Sequence, residues 1–105
     1  MHVILHAHHA VISESLRSQT ENAMQRVSTR MRKIANAIVR FIGDGPTHRV
    51  EIELLGTHSR PLVSHGDGPD FAPALAQAVH RIERQIDRVR TQRERRLAPP
   101  GEFAE

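Results

Sequence analysis

Between Asp70 and Arg96, apolar side chains recur at Leu75, Val79, Ile82, Ile86 and Val89, at intervals of 4, 3, 4 and 3. Those intervals put them on one side of an α-helix, so the stretch reads as one long amphipathic helix that must lie against something apolar. A chain of 105 residues has room for one domain and one two-layer core, and the rest of the chain must supply the surface this helix covers. Beside the apolar row runs a basic one, Arg81, Arg84, Arg88 and Arg95, widened by Arg90, Arg93 and Arg96. From His80 to Arg96 seven arginines stand against Glu83, Asp87 and Glu94. One side of the helix is suited to packing and another to meeting an anion.

The preceding chain supplies the partner surface. Val3, Leu5 and Ala7 alternate with Ile4, His6 and His8, the pattern of a strand over about 2–8. Ser13 is placed to accept a backbone N–H as the N-cap of a helix, with Glu14 favoured at its positive end. Leu16, Thr20, Ala23, Met24, Val27 and Met31 carry that helix to about Arg32. Ala37, Val39 and Phe41 alternate with Ile38, Arg40 and Ile42 in a second strand over 34–42. Gly43-Asp44-Gly45-Pro46 reads as a turn. Val50, Ile52 and Leu54 then alternate with Arg49, Glu51 and Glu53 in a third strand with one buried and one wet face. Gly56 to Ser59 reads as a hairpin connection, and Leu62 to His65 as a short fourth strand opened by Pro61. Gly66-Asp67-Gly68-Pro69 is expected to break the sheet, Asp70 to cap the last helix, and Pro73 to sit harmlessly in its first turn. The expected architecture is an α+β two-layer sandwich in the order β-α-β-β-β-α. Two helices cover one face of a four-stranded sheet, and a right-handed crossover sets the first two strands parallel. Residues 1–96 form the domain, and 97–105, rich in helix breakers, a disordered tail.

Charge is distributed by element. Residues 1–42 carry +4, 43–73 carry −3, 74–96 carry +4 and the tail −2. Fourteen of the fifteen cations are arginine, whose planar fork matches phosphate. The basic charge sits on the expected helices, which favours a polyanion such as nucleic acid over a merely solvated surface. Without cysteine the chain can form neither a disulfide nor a thiolate site, which fits a reducing, cytoplasmic setting. No apolar run approaches the ~20 residues of a membrane span, and the start lacks the pattern of a signal peptide, so no membrane contact is expected.

Several stretches resemble a known family. Ile12-Ser13-Glu14-Ser15-Leu16-Arg17 resembles the strand-to-helix entry of the ribosome hibernation-promoting factor and ribosome-associated inhibitor family. Asp70-Phe71-Ala72-Pro73-Ala74-Leu75 and Arg81-Ile82-Glu83-Arg84-Gln85-Ile86-Asp87-Arg88 resemble its last helix. The resemblance spans about residues 2–96 and contains no catalytic motif. It implies a fold shaped like a double-stranded RNA-binding domain. It also implies binding to ribosomal RNA of the small ribosomal subunit, in the channel of messenger and transfer RNA, where the protein would block translation and protect idle ribosomes. Carried over by position, the family's basic residues fall on Arg17 and Arg26 in the first helix and on Arg81, Arg84, Arg88 and Arg90 in the last. Arg30 and Lys33 join them from the spacing of the first helix's basic row. The chain departs at Met31 and Ala72, where the family has aromatic residues. The resemblance is expected to be to a short form, without the further C-terminal domain of long members.

Other candidates are weaker. His2, His6 and His8 share one side of the first strand, and two of them, His6 and His8, are two residues or ~7 Å apart, a spacing a metal could bridge, but no third ligand is placed beside them. Glu51 and Glu53 lie on the wet side of a strand with no pocket implied. They read as solubilising edge charge that would repel RNA, not as an acid–base pair. Met24 and Met31 read as core filler. The expected function is a ribosome-binding translation inhibitor with no enzyme activity, cofactor, metal or small-molecule substrate. A general double-stranded RNA-binding module and, more distantly, a His-based metal-binding protein are the alternatives.

Overall fold

The computed structural model describes residues 1–31, 33–56 and 60–97, the side chains of 93–97 excepted. The elements are β1 (His2–His8), α1 (Glu14–Arg30), β2 (Ile34–Asp44), β3 (Thr47–Gly56), β4 (Leu62–Gly68) and α2 (Phe71–Leu97). The sheet order is β1-β2-β3-β4, with β1 and β2 parallel and the other pairs antiparallel. This is the α+β arrangement expected from the hydrophobic periods. The 57–59 part of the expected hairpin connection, Arg32, and the expected tail from 98 onward lie outside the described residues; Leu97 still belongs to α2.

Ser13 caps α1 as its residue type suggests: its side chain accepts from the Leu16 N–H at 3.1 Å, and its carbonyl from Arg17 at 2.9 Å. The helix stops two residues short of the expected Arg32, because Met31 turns to extended backbone at φ −147°. Leu16, Thr20, Ala23, Met24 and Val27 are buried, and the Thr20 hydroxyl is satisfied by the Leu16 carbonyl at 2.8 Å. From the sheet come Ala37, Val39, Phe41, Val50, Ile52 and Leu54; from α2 come Ala74, Leu75, Ala78, Val79, Ile82 and Ile86. These residues form one core between the sheet and the helical layer.

Two expectations about the sheet need correction. The stretch Gly66 to Pro69 does not end it: β4 runs on to Gly68, with Gly66 opposite Val50 and Asp67 opposite Arg49. Gly66 is buried, and a Cβ there would stand 2.1 Å from the Ala74 carbonyl oxygen and 2.9 Å from the Ala78 nitrogen. The missing side chain lets β4 touch the α2 backbone, which is a packing role, not a break. Buried Ser64, two residues earlier on the same face, ties the contact by donating to the Ala78 carbonyl at 2.7 Å. The second correction concerns Glu51 and Glu53. They lie on an interior strand, half-buried, and are paired with arginines of the same face, as described next.

Candidate nucleic-acid interface

The sheet has one face under the helices and one without them. Register assigns the uncovered face its rows: His6, Arg40, Glu51 and His65 in one, and His8, Ile42, Arg49 and Asp67 in the next. Its cations are neutralised within the face. Arg40 pairs with Glu53 at 3.3 Å, and Arg49 with Glu51 at 3.0 Å and Asp67 at 3.6 Å. Two arginines against three carboxylates make this side an unfavourable one for a polyanion.

The helical layer carries most of the other described basic residues, which divide into distinct groups. Arg30 of α1 reaches across to α2, donating to Glu83 at 2.8 Å and to Asp87, while Arg26 stands 3.8 Å from Glu83. Glu83 and Asp87 thus join two helices instead of pairing within one. The hydrogen bonds it donates to Glu83 and then to Asp87, with the negative charge of both carboxylates, hold the Arg30 guanidinium above the ordinary arginine range. Arg81 lies on the opposite flank of α2, two residues or ~200° round from Glu83, and donates to the His65 carbonyl of β4 at 2.7 Å. Arg17 precedes Arg26 by nine residues, ~180° round the helix, so it points away from α2. Arg84 and Arg88 are exposed on the side of α2 turned from the core, one turn apart, with no carboxylate partner among the described residues. Arg90, also exposed, follows Glu83 by one heptad and so extends the flank nearest α1. Lys33 rims a cleft of about 700 Å³ at the end of the core, floored by Ile34, Leu54, Leu62 and Val89 and faced by Arg60.

The α2 row expected from the spacing holds together, since Arg81, Arg84 and Arg88 lie within ~60° of one another round the helix. Arg90 stands apart from that row, on the α1 side with the seam at Arg26 and Arg30, while Arg17 lies on the far side of α1 and Lys33 at the end of the core. Sequence reasoning overlooked Gln77 and Gln85, which share the Arg81 flank and also bond to β4. Their spacing of four from Arg81, just beside the apolar stripe, is the signal that could have found them. His2, His6 and His8 fall on the uncovered face. Among the described residues no three His, Cys, Asp or Glu side chains come together as a metal site. None of the described helices is long and apolar enough to cross a membrane.

A compact α+β fold with cations on its helical layer and balanced charge on its sheet defines a class: a small domain with one face suited to an anionic surface. The chain belongs to the family described as Sigma 54 modulation protein / S30EA ribosomal protein, which matches residues 3–94. This is a family of ribosome-associated factors, not of enzymes. Two solved structures share the fold. One is a ribosomal subunit interface protein from Coxiella burnetii, with TM-score 0.80 and 20% identity over 87% of this chain and 99% of that one. The other is the N-terminal domain of Protein Y from Thermus thermophilus, with TM-score 0.75 and 22% identity over 85% of this chain and 99% of that one. A search of curated protein sequences gives no match.

Proposed function

We propose that this protein is a ribosome hibernation factor of the cytoplasm that inhibits translation by occupying the channel of messenger and transfer RNA on the small ribosomal subunit. It is held there by arginine–phosphate contacts. The family supports the ribosome as partner. The observation that carries the mode of binding is the charge split of the two layers: Arg84 and Arg88 project outward without carboxylate partners among the described residues, whereas Arg40 and Arg49 on the sheet are neutralised. The mechanism is steric. A folded wedge sits where RNA substrates would pass, and guanidinium forks fix it on ribosomal RNA phosphates without reading sequence.

Co-sedimentation with small subunits across a salt series tests this. If roughly six phosphates are neutralised, affinity falls ~10³-fold between 50 and 200 mM salt. A flat salt response, or equal preference for any long RNA duplex, defeats the reading; the second result would instead identify a general duplex-binding module.

A further inference from the structure

The two edges of the sheet are finished differently. Along β4, three α2 side chains spaced by four residues reach the strand's outward backbone groups. The Asp67 N–H donates to Gln77 Oε1 at 3.0 Å, and Arg81 and Gln85 donate to the carbonyls of His65 and Val63, each at 2.7 Å. Residues 63, 65 and 67 are alternate positions, the set whose polar groups point away from β3. Helix α2 therefore occupies the hydrogen-bonding positions another strand would take.

Strand β1 has no such cover. It pairs only with β2, and no described side-chain hydrogen bond reaches its backbone. Edge strands are ordinarily kept from pairing by Pro, by charged side chains or by a bulge. His2–His8 holds no Pro, Lys, Arg, Asp or Glu, and its register with β2 runs unbroken through seven pairs. Val3, Ile4 and Leu5 are only half-buried on it.

We propose that β1 is an interface edge whose occupant is the β1 of a second copy of this chain, paired antiparallel about Leu5. In that register His2 faces His8, Val3 faces Ala7, Ile4 faces His6 and Leu5 faces its own copy. Direct partners share a face of the sheet, so the Val3, Leu5 and Ala7 side chains of both copies meet on the helix side. Ile4 and the histidines meet on the other, beside Arg40 of β2. No acid or permanent cation lies within the strand, so none opposes another across the pairing. The two sheets join into one of eight strands, with both helical layers on the same side. The α1 flank turned from α2 carries Arg17 and Glu21, one turn apart, so the neighbouring α1 helices approach with both signs of charge present. This inference stands apart from the ribosome reading, since it concerns the free protein.

The test is sedimentation velocity of the whole chain over a concentration series up to about 200 μM, with hydrogen exchange of the β1 amides at each concentration. A reversible dimer with exchange slowing at residues 2–8 is expected. His2 and His8 are exposed, so replacing them leaves the fold intact, checked by circular dichroism. The His2→Lys/His8→Lys variant sets like charges opposite at both ends of the pairing and weakens the dimer about tenfold or more. The His2→Lys/His8→Glu variant sets opposite charges there and restores it. A chain that stays monomeric at the highest concentration overturns the proposal. So does a dimer indifferent to both variants, or one without added β1 protection.

Discussion

Helix α2 has two sides that share a backbone and little else. The inward side, Ala74, Leu75, Ala78, Val79, Ile82 and Ile86, is buried, and its small residues let β4 press against the helix at Gly66. The outward side bears Arg84 and Arg88 in solvent. The difference separates two properties that surface arginines often confuse, because the side that holds the fold contains no charge and the side that carries charge holds no fold. Between them lie the flanks, where Glu83 and Asp87 engage α1 and Gln77, Arg81 and Gln85 engage β4.

The separation breaks most forcefully from within. Ile82 is fully buried, so Ile82→Ala removes apolar contact and leaves a cavity. Chemical denaturation is expected to show a loss of about 2–5 kcal/mol, a large part of the stability of a domain this size. Gly66→Ala comes next, at about 2–3 kcal/mol, because its Cβ meets backbone atoms of α2 that have no rotamer to change. In both variants ribosome binding should fall only with the folded fraction.

From outside, the expectation reverses. Arg84→Ala/Arg88→Ala should lower affinity for small subunits about ten- to a hundredfold and reduce the slope of log affinity against log salt by about two. Unfolding free energy should stay within about 0.5 kcal/mol of the parent. A matching fall in stability would show that the outer side is part of the scaffold after all.

What the sequence revealed and what it hid follow the same division. The inward stripe was legible because a period of 3.6 residues is local, and so were the Ser13 cap and the alternation of β3. The extension of β4 through Gly66 was not, because a glycine reads as a break unless one knows that Ala74 and Ala78 press against it. The arginines themselves were legible, but their partners were not. Arg30 finds Glu83 and Asp87 more than fifty residues on, while the sequence offered nearer arginines on the same helix. The Arg81 bond to a strand carbonyl leaves no mark in a charge pattern. The opposite directions of Arg17 and Arg26 were implicit in their spacing, yet which of them faces α2 required the fold.

The seam between the helices gives a smaller effect of mixed sign. Glu83→Gln removes the carboxylate shared by Arg26 and Arg30. The melting temperature should drop by no more than a few degrees, since these groups are only partly buried and remain solvent-screened. Affinity for the ribosome should rise, because two guanidiniums are released and a negative charge is lost beside them. Arg30 is held above its ordinary range, so its share of the stability is complete below the unfolded value and lost only as pH rises through the folded one. That share should therefore stay constant in melts from about pH 6 to pH 9.

The smallest effect is expected at Arg81, and it is the most discriminating. Arg81 is as exposed as Arg84 and three residues away, so charge alone predicts equal losses for Arg81→Ala and Arg84→Ala. Geometry predicts otherwise. Arg81 already donates to the His65 carbonyl and leans over the β4 edge, whereas Arg84 points away from the core. Arg81→Ala should cost about twofold or less in affinity, against several-fold for Arg84→Ala, and should leave the salt slope unchanged. Gln77→Ala, on the same flank, should speed hydrogen exchange at the Asp67 amide without touching affinity, since it removes that amide's partner. Equal losses at Arg81 and Arg84 would mean that RNA wraps over the β4 edge as well, and that the bound surface extends round the helix from its outer side to its flank.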